Sequence, residues 1–217
     1  MTPDQINAKI YAGRAKAAAR LGYPFNLFRP LTASSPLGNL VATLPASFNA
    51  ADNTYQKPNL YGKAVWFTDL DGRLVQVGDY LVNAAKPAER YFIAARQSLL
   101  PIAVVECNAT LSIFRPASTT GQIGIGAYGG ENIATDTQLV NAYPCSILQG
   151  SKGDKSLINL PGDVRTPWWA ILLPPIPGVV QLMNDDIAFD QFGKRYKLSS
   201  CELTDMGWRT TAVEAQT

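Results

Sequence analysis

Two stretches of the chain, offset by about a hundred residues, carry the same anchors in the same order, and this repeat constrains the fold more than any other feature. Phe28-Arg29-Pro30 matches Phe114-Arg115-Pro116, and Pro45-Ala46-Ser47-Phe48 matches Pro144-Cys145-Ser146-Ile147. Trp66 matches Trp168 or Trp169. Gly78-Asp79-Tyr80-Leu81-Val82 matches Asp185-Asp186-Ile187-Ala188-Phe189. Arg90-Tyr91-Phe92-Ile93 and Arg195-Tyr196-Lys197-Leu198 then follow Asp79 and Asp186 by eleven and nine residues. Each pair alone is permissive, but five in one order point to a tandem duplication. A chain of 217 residues has room for two modules of the size at which small β-domains fold.

Gly, Pro, Ser and Asn punctuate short β-branched and aromatic runs from residue 31 onward, which is the texture of β-structure. A final apolar strand is expected at 102–107 with 111–114, and at 208–213 in the second copy. The clearest hairpin signal is Asp71-Gly72, flanked by 64–68 and 73–77, with Val75 and Val77 alternating about Gln76.

The first residues follow another rule. Thr2 is placed to cap a helix, Pro3 occupies the favoured first position, Gln5 completes a capping box, and Gly22 follows the last good helix former. Ile6, Ile10, Gly13, Ala17 and Leu21 form one apolar stripe, with Lys9, Lys16 and Arg20 on one side and Arg14 on the other. The face formed by Ile6, Lys9, Ile10, Gly13, Arg14, Lys16, Ala17 and Arg20 is therefore the expected partner-binding surface. Residues 1–30 carry five basic groups against Asp4, a local balance of +4 in a chain whose total is +2. That is too few cations to mark a DNA-binding protein, although contact with nucleic acid or an acidic protein stays open.

The expected fold is mainly β, with an N-terminal α-helix followed by two tandem small β-barrel or sandwich modules with long loops or arms. Residues 1–30 form the amphipathic helix, 31–116 the first β-module, and 117–217 the second with a Gly-rich arm at 117–135.

The chain contains no histidine, which removes the commonest general base, the Ser-His-Asp and Cys-His arrangements and the commonest neutral metal ligand. Cys107, Cys145 and Cys201 are widely spaced and odd in number, so buried reduced thiols are expected rather than disulfides or zinc. Neither catalytic, metal nor cofactor residues are assigned. No leader pattern and no apolar run of membrane-spanning length is present in the sequence, and a soluble, cytosol-made protein is expected.

Residues 124–129, GIGAYG, match a dinucleotide fingerprint in letters only, since neither a buried strand before nor a helix after is indicated; a Gly-rich arm is expected. Asp185, Asp186 and Asp190 miss the spacing of a calcium loop and read as solvated turn carboxylates, and Asp69 to Gly72 fails the same pattern. SKGDK at 151–155 is a loop tip without phosphate-loop spacing. Trp168-Trp169 enters an apolar strand and reads as core or subunit interface.

The order of helix, FRP, VGDYLV, RYFIAARQSLLPIAVVECNATLSIFRP, PWWAILLP, DDIAF and GKRYKLSSCELTDMGWR resembles structural proteins of tailed phages and prophages. Gly78-Asp79 followed by Arg90-Tyr91-Phe92-Ile93 is similar to the β-barrel of head-closure and head-tail connector proteins. The resemblance implies a non-enzymatic virion component, assembled in the host cytoplasm. It would be a subunit of a six- or twelve-fold ring (connector, head-closure, collar or tail-completion protein) joining portal to tail near genomic DNA, with no membrane. Alternatives are a capsid decoration protein and a tandem OB-like nucleic-acid-binding module with Tyr91 and Tyr196 beside Arg90 and Arg195. A carboxylate glycosidase built on Asp79, Glu106, Asp186 or Glu202 is the least supported.

Overall fold

A computed structural model of the chain describes residues 2–50, 62–116, 136–150, 167–179 and 181–215. The helix α1 spans Pro3–Leu21, and its start is built as its sequence requires: Thr2 accepts from the Gln5 amide while the Gln5 side chain accepts from the Thr2 amide. Gly22 ends it, its N–H returning to the Ala18 carbonyl at 2.8 Å.

Among the described residues twelve strands follow, as two closed barrels. The first is built from β1 (Tyr23–Phe28), β2 (Leu40–Asn49), β3 (Val65–Asp69), β4 (Tyr80–Asn83), β5 (Arg90–Ala95) and β6 (Ile102–Glu106), ordered β1-β2-β3-β6-β5-β4. The second uses β7 (Ala109–Arg115), β8 (Thr137–Gln149), β9 (Trp168–Leu173), β10 (Ile187–Asp190), β11 (Arg195–Thr204) and β12 (Gly207–Glu214), ordered β7-β8-β9-β12-β11-β10. Closure leaves neither sheet with a free edge.

The two orders are the same order. Pairing registers make the match residue by residue: Phe25 lies opposite Leu44 as Leu111 lies opposite Tyr143, and Phe48 opposite Thr68 as Ile147 opposite Ile171. Trp66 pairs with Val104 and Trp169 with Ala212, so Trp169, not Trp168, is the counterpart of Trp66. The strands divide elsewhere than at 30 and 116. β1 already belongs to the first barrel and β7 to the second, and only Cys107 and Asn108 separate β6 from β7.

The interior of the first barrel holds Phe25, Leu27, Leu44, Ala46, Leu81, Tyr91, Ile93, Ile102 and Val104. Its outer β4–β6 face is buried too, because Tyr80, Phe92, Ala94, Val105 and Cys107 share one apolar cluster with the second barrel. Tyr80 donates to the Pro144 carbonyl at 2.7 Å and meets the Tyr143 ring edge-on. The Asn108 side chain exchanges two 2.8 Å hydrogen bonds with the Ile147 backbone. The barrels are therefore fixed to each other by packing as well as by a short joint.

The expected hairpin at Asp71-Gly72 does not form. β3 pairs with β2 and β6, while 73–77 runs as turns in which Val75 is buried and Val77 exposed. Helix packing overrides the hairpin signal: α1 lies across β2 and β3 and inserts Tyr11 into the barrel core, directly over Gly72. A Cβ at Gly72 would stand 2.4 Å from the Tyr11 ring. Gly72→Ala is accordingly expected to push Tyr11 outward and to cost about 1–3 kcal/mol, as overpacking does. Thermal melting checks it, and Gly72→Ala in a Tyr11→Ala background should cost much less.

Candidate interaction surface

Two polar constellations recur in the barrels, and both serve structure. Arg29 follows β1 and reaches Asp79, which precedes β4: Nε and Nη2 donate to the two carboxylate oxygens at 2.8 and 2.7 Å, and Nη2 also donates to the Leu74 carbonyl. The Gln76 amide completes the carboxylate shell. Arg115 and Asp186 repeat every element, with both guanidinium contacts at 2.9 Å, the Gln181 carbonyl in place of Leu74 and the Met183 amide in place of Gln76. Hydrogen bonds to these carboxylates raise both arginines above the ordinary value. Gly78 and Asp185, one residue before each aspartate, both have positive φ, 92° and 73°. Glycine takes that conformation freely and aspartate does so at some strain.

Asp186 is therefore not a solvated turn carboxylate: it is buried and locked to Arg115. Asp190 caps its own turn, accepting from the Phe192 and Lys194 amides, and only Asp185 stays exposed, 3.1 Å from the Lys197 ammonium. Asp71 likewise folds back onto Arg73, at 2.6 Å.

The second constellation sits at the other end of each barrel. Trp66 packs edge-on to Tyr91 and donates to Glu106 at 2.9 Å; Trp169 packs edge-on to Tyr196. Glu214, the counterpart of Glu106, turns instead to Lys194 at 2.8 Å, and that ammonium lies 4.1 Å above the Trp169 ring. Tyr91 and Tyr196 are inside the barrels, so they offer no open platform on which bases could stack. The acids Asp79, Glu106, Asp186 and Glu202 belong to four separate places and do not face one another across a groove.

Among the described residues no three His, Cys, Asp or Glu side chains could share a metal ion. No described helix is long and apolar enough to cross a membrane. Cys107 and Cys145 are buried and Cys201 is half-buried, all as free thiols. The GIGAYG and SKGDK segments and the 117–135 arm lie outside the described residues.

The helix is the element with a face to spare. It docks through Tyr11 and Ala18, with Asn7 bridging to Ser98 and the Leu99 amide, and with Arg14 3.9 Å from Asp69. The Ile6-Ile10-Gly13-Ala17-Leu21 stripe lies about a third of a turn round the axis from this docked face. Ile6 is 39% exposed and Leu21 61% exposed, and Lys9, Gly13, Lys16 and Arg20 are open to solvent. Ile10 and Ala17 are half-buried at the margin. Of the expected partner-binding residues, Arg14 alone turns inward; the structure groups the other seven on one accessible side. Tyr11, which anchors the helix, was hidden from periodicity because one tyrosine among alanines adds little to a stripe.

No protein-family model matches the chain, and comparison with curated proteins and with solved structures found no match.

Proposed function

We propose that the chain is a non-enzymatic structural subunit of a tailed-phage virion, a ring component of the neck that joins portal to tail. The observation that carries this reading is the helix α1. One of its faces is committed to the first barrel through Tyr11, and the other displays Ile6, Leu21 and three cations that the fold itself does not use. Two barrels locked into one body supply a stiff block of the kind a ring can be built from. Their buried charges are spent within each barrel, on holding the segments before β4 and β10. The resemblance of the Gly78-Asp79 and Arg90-Tyr91 segments to head-closure barrels supports the same assignment.

The mass of the purified protein in solution, alone and mixed with its cognate portal, tests the proposal. A six- or twelve-fold species, or one that forms only on the portal, is expected. A protein that stays monomeric and ignores the portal would overturn the neck assignment; binding to assembled capsids instead would mark a decoration protein.

A further inference from the structure

Two exposed surfaces lie on different barrels. Helix α1 lies on β2 and β3, the side of the first barrel away from the β4–β6 face that meets its partner barrel. In the second barrel the first docks near β8, through Tyr143 and Pro144, and β11 stands opposite β8 in the closed order β7-β8-β9-β12-β11-β10. The β11–β12 turn belongs to the second barrel and leaves it beside Pro174, whose neighbour Pro175 packs against Gly78 of the first.

The two surfaces differ in charge and share apolar exposure. On α1, Lys9, Lys16 and Arg20 flank Ile6 and Leu21, and none of the three cations has an ion-pair partner among the described residues. On the β11–β12 hairpin, Glu202 and Asp205 are exposed near Leu203, 52% exposed, and Met206, 38% exposed. Arg209 lies across from Glu202 in register, so two acids stand against one base there. The tip is stiff, since the Thr204 hydroxyl donates to the Gly207 carbonyl at 2.8 Å and accepts from the Met206 amide at 3.2 Å. Met206 held out on a two-residue turn, with Leu203 exposed on the strand before it, suits contact with another surface.

We propose that copies of this chain join head to tail, the outer face of α1 on one copy seating the β11–β12 tip of the next. A two-fold contact of α1 with itself would set its cations against their own copies, whereas α1 on the hairpin pairs opposite charges and keeps the apolar residues of both inside the contact. Unlike surfaces make a heterologous interface, which closes as a ring when its rotation closes. The second barrel also ends the internal array. Phe92 on the inter-barrel face of the first corresponds to Lys197 in the second, so barrel-on-barrel packing does not continue there. The inference rests on the ring reading above and names the surfaces that would build the ring.

A charge-swap experiment on the full chain tests it. One variant carries Lys9→Glu, Lys16→Glu and Arg20→Glu; the other carries Glu202→Lys and Asp205→Lys. All five side chains are exposed, and circular dichroism with a melting curve confirms that each variant folds. The wild type is expected to assemble, alone or on the portal, and the assembly to weaken with salt because exposed charges are screened. Each variant alone should lose assembly at least tenfold in the midpoint concentration. The two mixed should recover it as species with an even number of subunits, since only unlike copies then fit. Wild-type assembly with both variants assembling equally well would overturn the contact while leaving the ring reading intact, as would a hairpin variant that assembles like the wild type. A wild type that assembles under neither condition would overturn the ring reading itself.

Discussion

Arg29→Ala and Arg115→Ala are each expected to destabilise the protein by about 2–4 kcal/mol, the effect of stranding a buried carboxylate. Asp79 and Asp186 side chains are 2% exposed, and each is neutralised by the two-pronged contact from its arginine. Removing the guanidinium leaves the charge with a single backbone amide from Gln76 or Met183. Lysine should not rescue either site, since one ammonium cannot span both carboxylate oxygens and still reach the Leu74 or Gln181 carbonyl as the fork does. Asp79→Ala added to Arg29→Ala should cost less than the sum of the two, because it removes the stranded charge. Since the apolar cluster of the second barrel runs through the outer face of the first, both arginine variants should lower one common melting transition. At this chain length each 1 kcal/mol moves Tm by roughly 2–4 °C. A loss below about 1 kcal/mol at either site would mean that the pair behaves as a screened surface bridge.

Both halves of this lock were visible in the sequence as FRP and the aspartate before β4 or β10, but not that they touch. Repetition marks which residues matter, while contact between positions fifty and seventy-one apart needs the barrel to close. Strand register was not legible: the repeat left Trp66 matched to Trp168 or Trp169, and only the pairing of Trp66 with Val104 and of Trp169 with Ala212 decides between them. The inter-barrel face was legible, in hindsight of topology. Tyr80 to Val82 and Ile102 to Val105 are unbroken apolar runs, as strands buried on both faces must be. In β11 Tyr196 and Leu198 alternate with Lys197 and Ser199, as a strand with one wet face must.

The misreadings have a common cause. Asp71-Gly72 carries a hairpin signature, yet what it must satisfy is the Tyr11 ring arriving from a helix some sixty residues earlier in the chain. Asp186 looks like any turn acid until Arg115 closes on it. Local chemistry proposes a turn in both cases and a long-range partner decides its form. The exposed side of α1 was found because nothing long-range competes for it, and the helical period alone sets which residues share a face.

Stability is expected to fall steeply above about pH 9, and the buried thiols should lead the fall. Cys107 and Cys145 sit in the apolar cluster, and burial raises both well above the usual thiol value of 9.0; Cys201 is pushed up to about 11 by the same cause. Burial also raises Tyr80 well above the ordinary 10.0 and pushes Tyr143 up to about 12. Below the unfolded pKa both states keep their protons and the contribution is constant. As pH rises through it, the unfolded chain releases protons that the folded chain retains, so the equilibrium moves toward unfolding. Each group then costs about 1.4 kcal/mol per pH unit, and the two buried thiols together about 5 kcal/mol between pH 9 and 11. That is comparable with the whole stability of many domains. Melting curves at unit steps from pH 8 to 11 measure the slope. Cys107→Ala with Cys145→Ala should lower Tm at pH 8 through lost packing and yet flatten the slope between pH 9 and 10, before the tyrosines titrate. A Tm that holds level to pH 11 would place the thiols and phenols in contact with water and undo the description of a single apolar cluster shared by the two barrels.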